Sequence, residues 1–144
     1  MSNPYFLAAT ISLTVQITVL CLIVLGYYMR RKNKFRQHGT IMTASLLVHL
    51  ITIFSIMIPS FVGAVIPQHL FINPLEIISI VGLIHGILGL TVAALGVWFV
   101  GTWRFKSDLS VCFKKKRPMR FAIAIWITTL TLGIILYYLF YTAV

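Results

Sequence analysis

Residues 37–75 of this chain read QHGTIMTASLLVHLITIFSIMIPSFVGAVIPQHLFINPL and contain no Asp, Glu, Lys or Arg. Three further uncharged runs cover residues 2–29, 77–103 and 121–144. Each run exceeds the roughly 20 apolar residues that a helix needs to cross the hydrocarbon core of a bilayer. The chain is 60% hydrophobic and only 10% charged, against about 25% charged residues in a soluble domain. This composition excludes a soluble globular fold.

The uncharged runs predict an all-α fold, an integral membrane four-helix bundle in one domain of residues 1–144. Backbone polar groups find no water in hydrocarbon, and long runs without period-two alternation favour helices over barrel strands. We place the helices near residues 6–28, 40–62, 76–101 and 120–141.

The longest run is too long for one helix, and four residues supply breaks: Pro59, Gly63, Pro67 and Pro74. Residues 63–75 are therefore predicted as an apolar outer loop. The next helix has a typical start signal, with Asn73 as the capping side chain, Pro at the first helical position and Glu76 at the third.

All 12 basic residues fall in two clusters between the apolar runs. The clusters comprise Arg30, Arg31, Lys32, Lys34 and Arg36, and then Arg104, Lys106, Lys114, Lys115, Lys116, Arg117 and Arg120. Because short loops rich in Lys and Arg stay in the cytoplasm, we predict a multi-pass protein of the cell membrane. Loops 29–38 and 104–120 would be cytoplasmic and both termini would lie on the outer side. The net charge of +10 thus reflects topology and contact with the lipid bilayer, and no nucleic acid partner is predicted.

One face of the second predicted helix is polar. Spacings of four, three, four and three residues align five side chains there: His38, Met42, Ser45, His49 and Thr52. Such a face should point inward, because an ionisable side chain near the bilayer centre is costly. Imidazole suits iron, copper and zinc, and thioether sulfur suits Cu(I) or haem iron, so haem or copper binding is one interpretation. The other is a neutral His49 that forms a hydrogen bond across the bundle.

The third predicted helix carries small residues at the same spacing: Gly82, Gly86, Gly89, Ala93 and Gly96. Small residues at this period let another helix approach closely, which predicts a helix-packing face. The alternative is a glycine-lined groove that admits a flat macrocycle, with His85 as an axial ligand.

The depths of His49 and His85 argue against one haem between them. Each lies nine residues, roughly 13 Å, from the start of its predicted helix, and the two helices start at opposite faces. Across a core of about 30 Å the imidazoles would differ in level by several ångströms. Gln16 as a hydrogen-bond partner, or Met57 as a second ligand, comes closer to His85 in depth.

The chain offers no pattern typical of an active site. It contains no nucleophile arrangement, phosphate-binding loop or zinc-ligand spacing, and its two acidic residues, Glu76 and Asp108, lie on opposite sides of the predicted membrane. Catalysis by a carboxylate pair is excluded on that ground. The sequence therefore favours a role other than that of an enzyme.

Several short motifs follow one another in a recognisable order. His38-x-x-x-Met42 opens a helix after a basic loop, and His85 lies in the next span. A loop rich in Lys and Arg then leads into Trp126 and into LGIILY at residues 132–137. In this order the motifs resemble domain of unknown function 420, a family of small membrane proteins that includes the YozB and CtaM-like proteins. The resemblance covers roughly residues 36–141.

The resemblance implies an accessory role in aerobic respiration, because the family is associated with the maturation or function of haem-copper terminal oxidases. His38, Met42 and His85 match family positions that we regard as functional. Family members often carry a His eleven residues before the Trp, where this chain has Lys115. A cytoplasmic-side site built from His38 and that second His would therefore not form in the same way here.

Three functions follow from these patterns. The first is an accessory or assembly factor of a respiratory complex, a haem-copper terminal oxidase, that handles haem or copper or holds a subunit. The second is an electron-transfer membrane subunit in which His85 and a partner residue bind haem b. The third is a structural subunit without chemistry, whose small-residue face docks another subunit. Other membrane protein subunits are expected partners in all three.

Overall fold

A computed structural model describes residues 4–105 and 116–141 of the chain. Four helices in these ranges are long and apolar enough to cross a membrane, as the sequence predicts. We label them α1 (Pro4–Arg31), α2 (Phe35–Leu70), α3 (Ile77–Phe105) and α4 (Lys116–Tyr141). Residues 106–115, which include Asp108 and Lys115, lie outside the described residues.

The four helices form a ring in which each packs against two neighbours. α1 packs mainly against α2 and α3 against α4, and the α2–α3 and α1–α4 pairs complete the ring. A core of Val19, Ile23, Val92, Trp126 and Leu130 lies between them. In the apolar 18-residue stretch of each span, no more than 28% is buried within the bundle. An apolar outer surface of this extent is stable in contact with lipid or with further apolar protein.

A tight turn joins α1 to α2. Asn33 adopts the left-handed conformation with a φ of 58°, which Asn tolerates better than most residues. The N–H of Asn33 donates to the carbonyl of Arg30 and that of Lys34 to the carbonyl of Met29, both at 3.0 Å. These bonds satisfy carbonyls at the end of α1 in the pattern of a Schellman motif. α2 therefore begins at Phe35, five residues before its predicted start.

α2 continues through a segment that the sequence assigns to a loop. The prediction of an apolar loop over 63–75 is wrong as far as Leu70, and only residues 71–76 lie between α2 and α3. Pro59 and Pro67 do not end the helix, because local π geometry in a membrane helix lets the affected backbone groups find other partners. α2 is α-helical over Phe35–Thr52 and Ile58–Ser60, and π-helical over Ile53–Met57 and Phe61–Leu70.

The start of α3 lies within one residue of its prediction, at Ile77. The N–H of Glu76 donates to the carbonyl of Asn73 at 3.1 Å, and the hydroxyl of Ser79 donates to the same carbonyl at 3.0 Å. Asn73 thus fixes this turn through its backbone, whereas the sequence predicts its side chain as the cap.

The described residues next to the two basic segments lie at one end of the bundle. Gly39 of α2 packs directly against Trp103 of α3. Both residues line one small cavity, and Arg30 of α1 and Met119 of α4 line the same cavity. At the opposite end the hydroxyl oxygens of Thr10 and Tyr137 are 3.0 Å apart, so the start of α1 lies beside the end of α4.

Candidate functional site

A cavity of about 770 Å³ lies between the four helices. Its volume is within the range of about 300–1,000 Å³ that is typical of ligand pockets. Each helix contributes a polar residue to the wall: Gln16 from α1, His49 from α2, His85 from α3 and Thr129 from α4. Ionisable residues that line a cavity inside a membrane bundle mark a candidate binding site.

His85 lies in the wall of this cavity, and one of its imidazole nitrogens is hydrogen-bonded to α4. Its Nδ1 lies 2.9 Å from the backbone carbonyl of Thr129. Because a carbonyl only accepts hydrogen bonds, Nδ1 carries the proton and Nε2 is an unprotonated acceptor in the neutral ring. Gly133 gives the ring its space, since a Cβ at this position would lie 3.0 Å from His85 Cε1.

His49 is held in the same tautomer by a side chain of another helix. Its Nδ1 donates to Oε1 of Gln16 at 3.0 Å, and the ring of Trp126 packs against the imidazole with 4.8 Å between ring centroids. His49 is only 2% exposed. Its Nε2 is buried and has no hydrogen-bond partner in the described part of the chain. Leaving a buried acceptor unpaired costs stability, so this nitrogen is a candidate ligand atom.

Both histidines line one cavity. α2 starts at Phe35, so His49 lies fourteen residues along its helix, or about 21 Å. His85 lies eight residues into α3, or about 12 Å. Measured from opposite faces of a core of about 30 Å, these depths differ in level by about 3 Å. The level difference of several ångströms that the sequence indicates therefore stays a prediction.

The small residues of α3 divide between the cavity wall and a helix contact. Three of them line the cavity: Gly82, Gly86 and Gly89. A Cβ added at Gly86 would meet no described atom within 4 Å, so this glycine borders open space rather than a packed helix. Gly96 lies against α2, since a Cβ there would be 2.6 Å from Leu46 Cδ1. Ala93, three residues earlier on α3, is also buried. The predicted packing face is thus close-packed at Gly96 and open at Gly86.

His38 and Met42 lie at a different cavity. They line a space of about 70 Å³ toward the end with the basic residues, and Nδ1 of His38 donates to the carbonyl of Gly26 at 2.8 Å. Trp126 contributes to the walls of both cavities. The four residues predicted to bind a cofactor therefore form two pairs, and only His49 and His85 share the large cavity.

Three residues at the large cavity received no ligand-related role from the sequence: Gln16, His69 and Trp126. Gln16, expected beside His85, is the partner of His49. It is the one amide side chain in α1, and a lone polar residue in an apolar span needs a partner. His69 gave no signal because the sequence predicts a loop there. Its Nδ1 donates to Oε2 of Glu76 at 3.0 Å, which ties the end of α2 to the turn before α3.

Two histidines at one cavity are a donor set that a haem could use. Within residues 4–105 and 116–141, no group of three or more His, Cys, Asp or Glu side chains is placed to hold a metal. A haem brings its own ring nitrogens and takes only axial ligands from the protein. His49 and His85 supply two such nitrogens, and a ligating histidine usually donates its other N–H to an oxygen acceptor. Gly86 in the same wall has no described atom within 4 Å of where a Cβ would lie.

Comparisons of this chain with profiles of known protein families, with curated proteins and with solved structures found no match. The resemblance to domain of unknown function 420 therefore stays a prediction.

Proposed function

We propose that this protein is a membrane subunit that binds haem b between His49 and His85 and transfers single electrons within a respiratory complex. The observation that carries the proposal is the pair of histidines that two helices contribute to the wall of one cavity, each with its Nδ1 hydrogen-bonded. Each ring is fixed through its Nδ1, so little rotational freedom is lost when an axial bond forms.

Electron transfer is the chemistry that this donor set supports best. Bound haem iron supplies the ferric–ferrous couple, and the protein adjusts it through axial ligands, hydrogen bonds and burial. A haem held by both imidazoles would have no coordination position left for oxygen or another substrate. His49 is almost fully buried, which keeps water from one side of the site.

We place the protein in the cell membrane, with basic segments 29–38 and 104–120 in the cytoplasm and both termini outside. The positive-inside rule supports this orientation, and so does the position of both segments at one end of the bundle. Large apolar side chains on the outer surface, such as Ile51 and Phe54 at 66% and 68% exposure, would contact lipid or other membrane subunits.

An accessory role for a haem-copper terminal oxidase, as the family resemblance implies, is the second proposal. An assembly factor would release its haem to an acceptor protein, whereas an electron-transfer subunit would retain it through repeated oxidation and reduction. Copper handling would instead use His38 and Met42, which offer one nitrogen and one sulfur donor, a set that suits Cu(I).

Absorption spectroscopy of the purified protein, reconstituted with haemin in detergent, tests the haem site. We expect a sharp reduced α band after dithionite in the native protein, and loss of this band in His49→Ala and in His85→Ala. His38→Ala is the matched control, because this imidazole is also held by a backbone carbonyl but lies at the small cavity.

Equal haem spectra in the native protein and in both cavity variants would contradict the proposal. If the native protein binds neither haem nor copper, and the absorption spectra of the variants equal that of the native protein, the protein is a structural subunit. Rapid transfer of bound haem to an apo-globin would favour the assembly role, and retention over many redox cycles would favour electron transfer.

A further inference from the structure

The two imidazoles at the large cavity are oriented by different kinds of partner. His85 donates to a backbone carbonyl, that of Thr129, which no side-chain replacement removes. His49 donates to the side chain of Gln16, which lies 33 residues away in sequence on α1. The orientation of the His49 ring therefore depends on the side chain of Gln16, which a substitution can remove.

Gln16 sits where a packing residue would be apolar. It is 5% exposed inside an apolar span, and its Nε2 has no hydrogen-bond partner in the described part of the chain. A leucine would fill similar volume without leaving a buried donor unpaired. The Gln16 amide makes one hydrogen bond in the described part of the chain, which its Oε1 accepts from His49 Nδ1. We therefore assign the role of Gln16 to this bond.

We propose that Gln16 is a positioning residue that fixes the Nδ1–H tautomer of His49 and thereby lowers the reduction potential at this site. The potential depends on the proposed haem function, whereas the tautomer does not. Accepting a hydrogen bond from Nδ1 makes Nε2 a stronger electron donor, which favours the more highly charged ferric iron. The effect is strengthened in a low-dielectric interior, where no water competes for the same N–H.

Trp126 also contacts the ring of His49. It packs on the imidazole of His49 at a centroid distance of 4.8 Å and an interplanar angle of 43°. The Trp126 contact restrains the position of the ring, but an aromatic face does not distinguish Nδ1 from Nε2. Only the Gln16 bond determines which nitrogen carries the proton.

Two variants of Gln16 separate tautomer control from packing. Gln16→Leu removes the acceptor, and we expect the midpoint potential to rise. Gln16→Glu supplies a stronger acceptor, and we expect the potential to fall. Outer-shell partners commonly change metal affinity by about 10- to 100-fold. A tenfold change in the preference for ferric over ferrous iron corresponds to a shift of about 59 mV in a one-electron couple.

Gln68→Leu is the matched control, because Gln68 lines the same cavity and undergoes the same chemical change. Spectroelectrochemical titration of the reconstituted protein gives the midpoint potentials. Shifts of opposite sign in Gln16→Leu and Gln16→Glu, with Gln68→Leu near the native value, are the expected result. Equal potentials in the native protein and in both Gln16 variants, with haem bound in each, would overturn the inference.

Nitrogen-15 chemical shifts of His49 in the haem-free protein test the positioning role by itself. The native protein should show the Nδ1–H tautomer, and Gln16→Leu should show a mixture of both neutral tautomers. If the native protein binds no haem but this change occurs, the proposed function fails while the positioning role stands. An unchanged tautomer in Gln16→Leu would refute the positioning role whether or not haem binds.

Discussion

Hydrogen bonds from Nδ1 decide what three histidines of this bundle can do. His38, His49 and His85 each donate from Nδ1 to an oxygen on a neighbouring helix, which leaves Nε2 as the acceptor in each neutral ring. Inside a membrane water does not compete for these bonds, so each ring keeps its tautomer. The histidines differ in the cavity that they line: the small cavity for His38, and the large cavity for the other two.

Gly86 is the residue whose enlargement should block the large cavity without disturbing the fold. A Cβ there meets no described atom within 4 Å, so the side chain in Gly86→Leu should enter the cavity. We expect the free energy of unfolding to change by no more than about 0.5 kcal/mol. Haem affinity should fall at least tenfold, which is about 1.4 kcal/mol, as measured by haemin titration.

Gly101→Leu is the control for this change. A Cβ at Gly101 also meets no described atom within 4 Å, but Gly101 is not part of the wall of the large cavity. Haem binding should therefore match that of the native protein. Undiminished haem uptake by Gly86→Leu would mean that no ring occupies the space beside Gly86.

Helical periodicity was sufficient to predict the inward face of α2. His38, Ser45, His49 and Thr52 are all at most 9% exposed, as their spacing indicates. Periodicity could not show which histidines share a cavity, because that depends on the axial register between helices. A change of five residues in one helix start moves the expected depth of a side chain by about 7 Å, so the sequence alone does not determine the level of His49 relative to His85.

At the scale of elements, α2 changes geometry where it borders the large cavity. Its two π-helical segments, Ile53–Met57 and Phe61–Leu70, supply wall residues that include Met57 and His69. π geometry inside α-helices occurs frequently at functional sites. The sequence predicts a break at Pro67 because proline usually ends a helix in water. In a membrane, ending the helix would leave backbone N–H and C=O groups without hydrogen-bond partners, which costs more free energy than a local change to π geometry. α2 therefore continues to Leu70.

α2 and α3 approach each other closely at Gly96. A Cβ at this position would lie 2.6 Å from Leu46 Cδ1, and Leu46 is buried. Gly96→Ala should therefore force the two helices apart and lower the free energy of unfolding by about 1–3 kcal/mol. Reversible unfolding in mixed micelles with increasing SDS measures this loss.

Leu46→Ala provides the second arm of a double-mutant cycle. It removes the δ-carbons that the new methyl group would meet, so Gly96→Ala should cost less in this background. We expect a coupling free energy of about 1 kcal/mol or more, as is common for residues in contact. Simple additivity of the two changes would show that Gly96 is not held close to Leu46.

For the whole molecule, charge is distributed unevenly along the helix axes. The end that contains Arg30 is flanked by both basic segments, and Lys32 Nζ lies 4.6 Å from the centroid of the Tyr28 ring. At the opposite end, Glu76 pairs with His69. Such asymmetry holds a membrane protein in one orientation, because cationic loops resist transfer across the bilayer and bind anionic headgroups.

The charge asymmetry predicts which residues a membrane-impermeant maleimide reaches in intact cells. In a Cys21→Ser, Cys112→Ser background, Lys32→Cys and Arg117→Cys should react only after permeabilisation. Leu75→Cys should react in intact cells, because Leu75 is 82% exposed in the turn at the opposite end. The expected pattern follows from the cost of about 2.5–3.5 kcal/mol for placing a single Lys or Arg at the bilayer centre. Labelling of positions 32 and 117 from opposite faces of the membrane would contradict the four-span arrangement. Labelling of both positions from outside would show that the protein has the opposite orientation, with the same four spans.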